Sequence, residues 1–114
     1  SNHGGRQLDA APSAISVLPR MVDAVARRIP VFVDGGFRRG SDVVKALAAG
    51  ATAAFVGRPA VWGMATDGEA GARSVLAALA EEIARTMILI GADRVADISA
   101  QHLLAPPQAG DRRG

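Results

Sequence analysis

The chain alternates between two arrangements of apolar residues, one with helical spacing and one with short uninterrupted apolar runs. Apolar side chains recur every three or four positions over about 13–28, which predicts an amphipathic helix. Uninterrupted runs at 31–33 and 53–56 predict strands that are covered on both faces, as in parallel sheets. Helical spacing returns between these runs and again over about 69–90. The pattern therefore predicts a helix, a strand, a helix, a second strand and a long helix.

Polar residues and glycines at the ends of these patterns predict where the helices begin and end. Ser41 is the predicted N-cap of the helix between the two strands, and Gly50 is its predicted stop. Thr66 and Glu69 have the spacing of a capping box, which predicts the start of the long helix. Gly91 is the glycine expected just beyond the end of that helix.

The order strand, helix, strand, with short connections, is typical of a parallel α/β fold. The stretch 34–52 is long enough to bring the chain back for a parallel pairing. Only two strands are evident, however, and two strands leave exposed edges to which further strands would pair. We therefore expect the chain to be incomplete on its own and to form part of a larger fold with a preceding segment.

The two ends of the chain lack a helical or strand pattern of their own. Residues 1–2 are followed at once by His3, without an initiator methionine, a signal peptide or a transit segment. Residues 105–114 are rich in proline, glycine and arginine, which predicts a flexible tail. The folded portion is expected to be residues 1–104.

Composition narrows the classes of function. Of the 114 residues, 49% are hydrophobic and 21% charged, as is typical of globular chains. The absence of cysteine excludes disulfides, thiol nucleophiles and Cys-ligated zinc, and no other metal-ligand spacing occurs. A net charge of +2 and only 4% aromatic residues argue against a nucleic-acid partner. No apolar run reaches the ~18 residues of a membrane span.

Candidate catalytic side chains lie in residues 1–9, whose sequence is Ser-Asn-His-Gly-Gly-Arg-Gln-Leu-Asp. If residues 1–2 end a strand, His3 and Arg6 share a loop at the edge where α/β enzymes place their sites. An imidazole can accept a proton near neutral pH. A guanidinium can bind a carboxylate through two parallel hydrogen bonds. Taken alone, a histidine at such a position is more often an ordinary surface residue than a catalytic one.

Two segments that contain glycine and arginine follow the two predicted strands. The first strand exit is residues 34–40, Asp-Gly-Gly-Phe-Arg-Arg-Gly, and the second strand exit is residues 57–59, Gly-Arg-Pro, interpreted as a loop. Glycines before a helix leave backbone N–H groups accessible to an anion, and arginines add positive charge. The alternative for each is a tight turn with solvated arginines. Their repetition favours one shared phosphate site, as after strands 7 and 8 of eight-stranded barrels.

The chain resembles the C-terminal third of the FMN-dependent α-hydroxy-acid oxidases and dehydrogenases, whose members oxidise glycolate, lactate or mandelate. The resemblance covers residues 1 to about 104. It is carried by residues 1–9, by Val-Asp-Gly-Gly-Phe-Arg-Arg-Gly-Ser-Asp-Val-Val-Lys-Ala-Leu-Ala-Ala-Gly-Ala at 33–51 and by Val-Gly-Arg-Pro at 56–59. Residues 1–9 are the most specific part, because other FMN-binding barrels have similar glycine-rich loops. The implied fold is part of a (β/α)8 TIM barrel, from the end of strand 6 through helix 8.

The resemblance also implies a role for each candidate residue. His3 is similar to the catalytic base, and Arg6 is similar to the arginine that binds the substrate carboxylate. Phe37 replaces the more usual Ile or Val, and we expect it to contribute mainly a backbone position. The residues implied to bind FMN are Asp34, Gly35, Gly36, Phe37, Arg38, Gly57 and Arg58.

The implied reaction is the oxidation of an (S)-2-hydroxy acid to a 2-oxo acid. Arg6 would hold the carboxylate, and His3 would accept a proton while two electrons pass to FMN, which carries the redox chemistry. The segment 58–63, Arg-Pro-Ala-Val-Trp-Gly, suggests an aromatic, mandelate-like substrate. Other parts of the family's site come from earlier strands, so we expect the chain to be inactive without a preceding segment.

Two other interpretations stay open from the sequence. One is another FMN-binding barrel, such as an isomerase or a nucleotide dehydrogenase, and His3 and Arg6 argue against it. The other is a non-catalytic phosphate-binding fragment. The resemblance implies a homotetramer, and we expect a cytoplasmic protein. The sequence does not determine which hydroxy acid is used, which electron acceptor follows, or whether a hydride or a carbanion is involved.

Overall fold

The computed structural model describes residues 3–104, so the predictions made for residues 1–2 and 105–114 lie outside it. Within this range, three α-helices and two strands are preceded and followed by short 3-10 helices. In chain order the elements are a 3-10 helix His3–Arg6, α1 Ala14–Val25, β1 Phe32–Asp34, α2 Gly40–Ala48, β2 Ala53–Phe55, α3 Arg58–Ile90, and 3-10 helices Val95–Asp97 and Ala100–His102. The predicted order of helices and strands is confirmed.

Helix α1 has a capped start and ends about three residues earlier than its apolar pattern predicts. Ser13 is its N-cap, and the Ser13 hydroxyl accepts a hydrogen bond from a backbone N–H of the first turn. Ala26 and Arg27 adopt positive φ angles of 50° and 60°, which the helix cannot continue through. The Arg28 side chain donates to two carbonyls of the last turn at 3.0 Å each, and so stabilises this end.

The two strands pair in parallel, as predicted, with Phe32 opposite Ala53 and Asp34 opposite Phe55. Within residues 3–104, one face of this sheet is covered and the other is open. Val33 points into the core and is 5% exposed, whereas Phe32 and Phe55 are each 56% exposed. These two rings contact one another edge to face, with centroids 5.8 Å apart. Because side chains alternate along a strand, one face of the sheet is packed and the other carries the phenylalanines.

Helix α2 begins one residue before the predicted N-cap, Ser41, so that prediction is wrong. The N-cap is Arg39 and the helix starts at Gly40. The reason is Asp42, whose carboxylate accepts the Arg39 backbone N–H at 3.0 Å and satisfies a donor that a Ser41 cap would have left to other groups. Gly50 follows the helix with φ of 99°, which confirms it as the stop.

Helix α3 contains two helical segments separated by a break; the second is the long helix predicted over about 69–90, and the first was not predicted. Residues 58–66 are already helical, and Asp67 and Gly68 then leave helical geometry before the chain continues as a helix to Ile90. The Thr66 hydroxyl donates to the Gly63 carbonyl at 2.7 Å, so it does not form the predicted capping box. Gly91 follows with φ of 73° and closes the helix as predicted.

Glycines allow the two segments of α3 to fold back on each other. A Cβ on Gly63 would lie 2.7 Å from the carbonyl carbon of Gly71, and a Cβ on Gly71 would lie 2.8 Å from that of Gly63. No side chain fits at either position without moving the backbone. The close contact places the 58–66 segment beside the start of the longer one, at the carboxyl edge of the sheet.

Helix α2 lies between two groups of buried residues. One group joins it to α1 and the sheet, and the other joins it to the end of α3 and the following 3-10 helices. The groups are Leu18, Val33, Phe37, Ala46 and Ala51 on the first side, and Val44, Ala48, Ala92 and Ile98 on the second. No helix within residues 3–104 combines the length and the apolar character needed to cross a membrane.

Candidate active site

A cavity of about 710 Å³ opens at the carboxyl ends of β1 and β2. This volume is within the range of small-molecule sites. Its walls come from the initial 3-10 helix, the ends of both strands, both strand exits and the first turn of α3. The lining residues are His3, Arg6, Asp34, Gly36, Phe37, Arg38, Phe55, Val56, Gly57, Arg58, Pro59 and Val61.

The candidate catalytic residues reach this cavity from one 3-10 helix, His3–Arg6. A 3-10 helix has three residues per turn, so side chains three positions apart lie on the same side. His3 and Arg6 have this spacing, and both line the cavity. The Gly4 carbonyl accepts the backbone N–H groups of Gln7 and Leu8 at 3.1 and 3.0 Å, which turns the chain away after this helix.

The first strand exit turns sharply on two glycines at the end of β1. Gly35 and Gly36 have φ angles of 115° and 84°, a region that L side chains rarely adopt. No atom lies within 4 Å of the position that a Gly36 Cβ would take. The Gly36 backbone therefore faces open space, where a ligand can approach it closely.

Phe37 and Arg38 then send their side chains in different directions. Phe37 is 5% exposed and packs in the first core group, so its side chain anchors the loop. The expectation that Phe37 acts mainly through its backbone misses this core role. The Arg38 backbone N–H donates to the Asp42 carboxylate at 3.1 Å. Its guanidinium carbon lies 5.4 Å from the centre of the Trp62 ring, a cation–π contact.

The second strand exit is the start of a helix and not the predicted loop. Gly57 is the N-cap of α3, and Arg58 and Pro59 form its first turn. Proline is favoured at this position because its fixed φ suits a helix and its missing N–H would have no partner there. A Cβ at Gly57 would meet nothing within 4 Å, so this backbone also faces the cavity.

Charge and polarity divide the lining in a way that suits an anionic ligand with an apolar part. Three arginines, Arg6, Arg38 and Arg58, line the cavity together with His3, against one carboxylate, Asp34. The start of α3 adds the positive end of a helix dipole. The remaining wall is apolar, from Phe55, Val56, Pro59 and Val61. All of the residues predicted for the site therefore border this one cavity except Gly35, which is next to Gly36 in the same turn.

Trp62 belongs to the segment 58–63 but was not among the predicted site residues, and it does not line the cavity. The structure leaves Trp62 half exposed beside Arg38. The signal that could have found it is its place in the first turns of α3, four residues after Arg58, which brings it to the same side of the helix. The other histidine, His102, lies apart from the cavity lining and accepts a hydrogen bond from the Ser99 backbone N–H at 3.1 Å.

Comparison with known proteins gives a family model that spans most of the chain. The model described as FMN-dependent dehydrogenase matches residues 1–105, and FMN is the cofactor of that family. "Glycolate oxidase 1" of Oryza sativa subsp. indica is 54% identical over 103 residues, which are 90% of this chain and 28% of the relative. "Glycolate oxidase 3" of Arabidopsis thaliana is 53% identical over 103 residues, with the same coverage. The chain thus spans little more than a quarter of the length of these curated relatives.

Solved structures resemble the chain over most of its length. A mandelate oxidase variant with a monooxide FMN adduct has a TM-score of 0.79 and 50% identity, covering 84% of this chain and 31% of the other. A structure titled as the monotopic membrane protein (S)-mandelate dehydrogenase has a TM-score of 0.83 and 47% identity, covering 93% and 28%. On the sequence match to residues 1–105 and these structural likenesses, the chain belongs to the FMN-dependent dehydrogenase family.

Proposed function

We propose that the protein carrying this chain oxidises an (S)-2-hydroxy acid to a 2-oxo acid with FMN as its cofactor. The observation that supports this most directly is the single cavity that His3, Arg6 and both strand exits share. Glycolate oxidases and mandelate oxidase are among the similar proteins, and each name refers to a 2-hydroxy acid. The alternatives of a different FMN barrel or a non-catalytic fragment do not account for His3 and Arg6 at this cavity.

The donor set of the two strand exits fits the phosphate end of FMN. Gly36 and Gly57 leave backbone open to the cavity, and Arg38 and Arg58 add two guanidinium groups. Backbone N–H groups beside glycines and at a helix start bind phosphate oxygens, and arginine adds charge-assisted hydrogen bonds. In this proposal residues 34–38 hold the cofactor from one side and Gly57 and Arg58 from the other.

His3 and Arg6 supply the chemistry at the substrate. Arg6 binds the carboxylate through two parallel hydrogen bonds and so fixes the orientation of the hydroxy acid. The His3 imidazole accepts a proton from the bound hydroxy acid as general base. Bound FMN would take up the two electrons together with the second of the two hydrogens that the hydroxy acid loses. Because both side chains come from one short helix, the anchor and the base keep a fixed relation to each other.

Within this class, we propose an aromatic, mandelate-like acid as the substrate. Val61 lines the cavity, and Trp62 follows it on the same helix with half of its surface exposed. Apolar and aromatic side chains near the carboxylate anchor favour a substrate with a ring over one with a single hydrogen at that position. Relative turnover of mandelate and glycolate by the purified protein tests this choice.

The remaining parts of the proposal concern the whole protein. The chain occupies the end of strand 6 through helix 8 of a (β/α)8 barrel, and a preceding segment covers the sheet face that carries Phe32 and Phe55. The assembly is a homotetramer in the cytoplasm. Light scattering of the purified protein tests the tetramer, and fractionation of cells into soluble and membrane parts tests the location.

Substitution of the two catalytic candidates, each with a matched control, tests the reaction. His3→Asn should lower kcat about 1000-fold, the loss typical of a missing general base, while His102→Asn leaves kcat unchanged. Arg6→Met should lower kcat/KM for the hydroxy acid about 100-fold, as expected for a lost bidentate ion pair, while the exposed Arg20→Met does not. All four variants should bind FMN as the wild type does. Turnover that survives His3→Asn would contradict the assignment.

A further inference from the structure

Glu82 lies outside the cavity but contacts the end of the first strand exit. One of its carboxylate oxygens accepts the Gly40 backbone N–H at 2.7 Å, and the other accepts an Arg39 guanidinium N–H at 2.8 Å. Gly40 is the first residue of α2, whereas Glu82 belongs to α3, more than forty positions later. A side chain of α3 therefore satisfies a free donor at the start of α2.

The contact between these helices leaves no room for adjustment. A Cβ on Gly40 would lie 2.5 Å from the Glu82 Cβ and 2.6 Å from the Glu82 carbonyl carbon, and it would also overlap the Ile83 backbone nitrogen. Gly40 is buried. The start of α2 thus rests directly on the backbone of α3, and the Glu82 carboxylate fixes it there by two hydrogen bonds.

Three fixed points leave Arg38 little freedom. On one side, Phe37 is held in the core. On the other, Asp42 accepts the backbone N–H groups of both Arg38 and Arg39 at 3.1 and 3.0 Å. Glu82 then holds the next residue, Gly40. Among these residues, only Phe37 and Arg38 line the cavity.

We infer that Glu82 is a positioning residue for the FMN phosphate, acting through the backbone of the first strand exit. The inference rests on the phosphate site proposed above for residues 34–38, Gly57 and Arg58. Glu82 does not line the cavity, so it does not touch the cofactor. It sets where the loop ends, and therefore where the Gly36 backbone and the Arg38 guanidinium meet the phosphate.

The two partners of Glu82 are both donors, and only a carboxylate satisfies both. A glutamine has one carbonyl oxygen and one NH2 group, so it would turn a donor toward either Gly40 or Arg39. Glu82→Gln keeps the size of the side chain and removes one of the two bonds and the charge. The adjacent Glu81 is exposed, and Glu81→Gln makes the same chemical change one position away from the side chain that binds Gly40 and Arg39.

The test compares FMN with riboflavin, which has the same ring and ribityl chain but no phosphate. The dissociation constant of each is measured by titrating the flavin with the apoprotein and following flavin fluorescence. Glu82→Gln should raise the FMN dissociation constant about tenfold, the effect of one charge-assisted hydrogen bond, and leave that of riboflavin unchanged. Glu81→Gln should change neither. At saturating FMN, kcat and KM for the hydroxy acid should match the wild type.

Two further variants separate positioning from stability. Ile98→Ala removes a buried side chain at the far side of α2, and it should lower the melting temperature without changing the ratio of FMN to riboflavin affinity. Arg39→Gln removes one partner of Glu82 from an exposed position and should lower that ratio about threefold, a smaller effect because the Gly40 bond remains. It serves as the test if Glu82→Gln does not fold.

The possible outcomes distinguish this inference from the proposed function. Equal loss of FMN and riboflavin affinity in Glu82→Gln would show a general structural role and overturn the inference, as would an unchanged ratio in both Glu82→Gln and Arg39→Gln. A wild-type protein that binds riboflavin as tightly as FMN would instead overturn the proposed phosphate site itself.

Discussion

The two strand exits border the same cavity, but different parts of the chain hold them in place. The first strand exit turns through two positive φ angles, at Gly35 and Gly36, and is then held by a core side chain and by two carboxylates from α2 and α3. The second strand exit enters α3 directly, where the Val61 backbone N–H donates to the Gly57 carbonyl at 3.2 Å.

This difference shows two ways to place an arginine at one ligand. At the second exit, Arg58 lies in the first turn of α3, and the contact of Gly63 with Gly71 places that helical segment. At the first exit, the position of Arg38 depends on residues elsewhere in the chain, including Glu82. Changes at the first exit should therefore affect both stability and cofactor binding, whereas changes at the second should affect binding with little loss of stability.

The largest effect is expected from Phe37→Ala. Removing a buried phenylalanine leaves a cavity in the first core group, which typically costs about 4 kcal/mol of unfolding free energy. The same loop carries Arg38, so FMN affinity should fall as well. Urea denaturation followed by circular dichroism measures the first quantity, and FMN titration the second.

Two control variants test whether the loss of stability comes from the buried ring of Phe37. Phe37→Leu keeps an apolar filler and should cost only about 1 kcal/mol. Pro59→Ala in the second strand exit should lower the free energy of unfolding by less than about 1 kcal/mol, mainly because the unfolded chain gains conformational entropy. A loss at Pro59 as large as that at Phe37 would remove the contrast between the two exits.

The next largest loss of stability is expected from Gly40→Ala in the first strand exit, compared with Gly57→Ala in the second. Gly40→Ala places a methyl group against the backbone of residues 82–83, so α2 must move from α3 at a cost of about 3 kcal/mol. Gly57→Ala meets open space at φ of −114°, and should change stability by less than about 0.5 kcal/mol. Thermal unfolding of both variants checks the difference, and equal melting temperatures would contradict it.

Sequence reasoning reached the fold order and the site because both leave strong local signals. Apolar periodicity gave the helices and strands, and the glycine–arginine segments after strands gave the cavity. It failed where contacts of side chains and backbone, and not apolar periodicity, decide where a helix begins. Ser41 is not the N-cap because Asp42 reaches back to Arg39, and the helical segment 58–66 was missed because it depends on the contact between Gly63 and Gly71. An acidic residue at the third helical position is a signal that could have corrected the first of these errors.

A smaller effect is expected from Asp42→Ala. Asp42 accepts the backbone N–H groups of Arg38 and Arg39, and its loss leaves both without this acceptor at a helix start. The expected cost is about 1 kcal/mol, as for other residues that cap a helix. Asp93→Ala, at an exposed position after α3, is the matched control and should be neutral. Equal urea midpoints for the two variants would show that Asp42 does not support the first strand exit.

The smallest effect is a loss of stability at acid pH that comes from Glu82, which holds the end of the first strand exit. The Gly40 backbone N–H, followed by the Arg39 side chain, holds the pKa of Glu82 below its ordinary value of 4.5, against the opposing effect of desolvation. The folded protein therefore binds this proton more weakly than the unfolded chain. The stabilisation by Glu82 is fully present above pH 4.5 and is lost as the pH falls through the lowered pKa.

This link between proton binding and stability predicts how the urea midpoints of the wild type and Glu82→Gln differ as the pH changes. At pH 6 the urea midpoint of Glu82→Gln should lie below that of the wild type, and the gap should begin to close below pH 4.5 and shrink further as Glu82 becomes protonated. The pKa of Asp97 is lowered as well, by its hydrogen bond with Arg94. Asp97 is present in both proteins, so its titration does not change the difference between their urea midpoints. Glu81→Gln should follow the wild type throughout. A gap that stays constant until the wild type itself unfolds in acid would mean that the Glu82 charge contributes nothing at the start of α2.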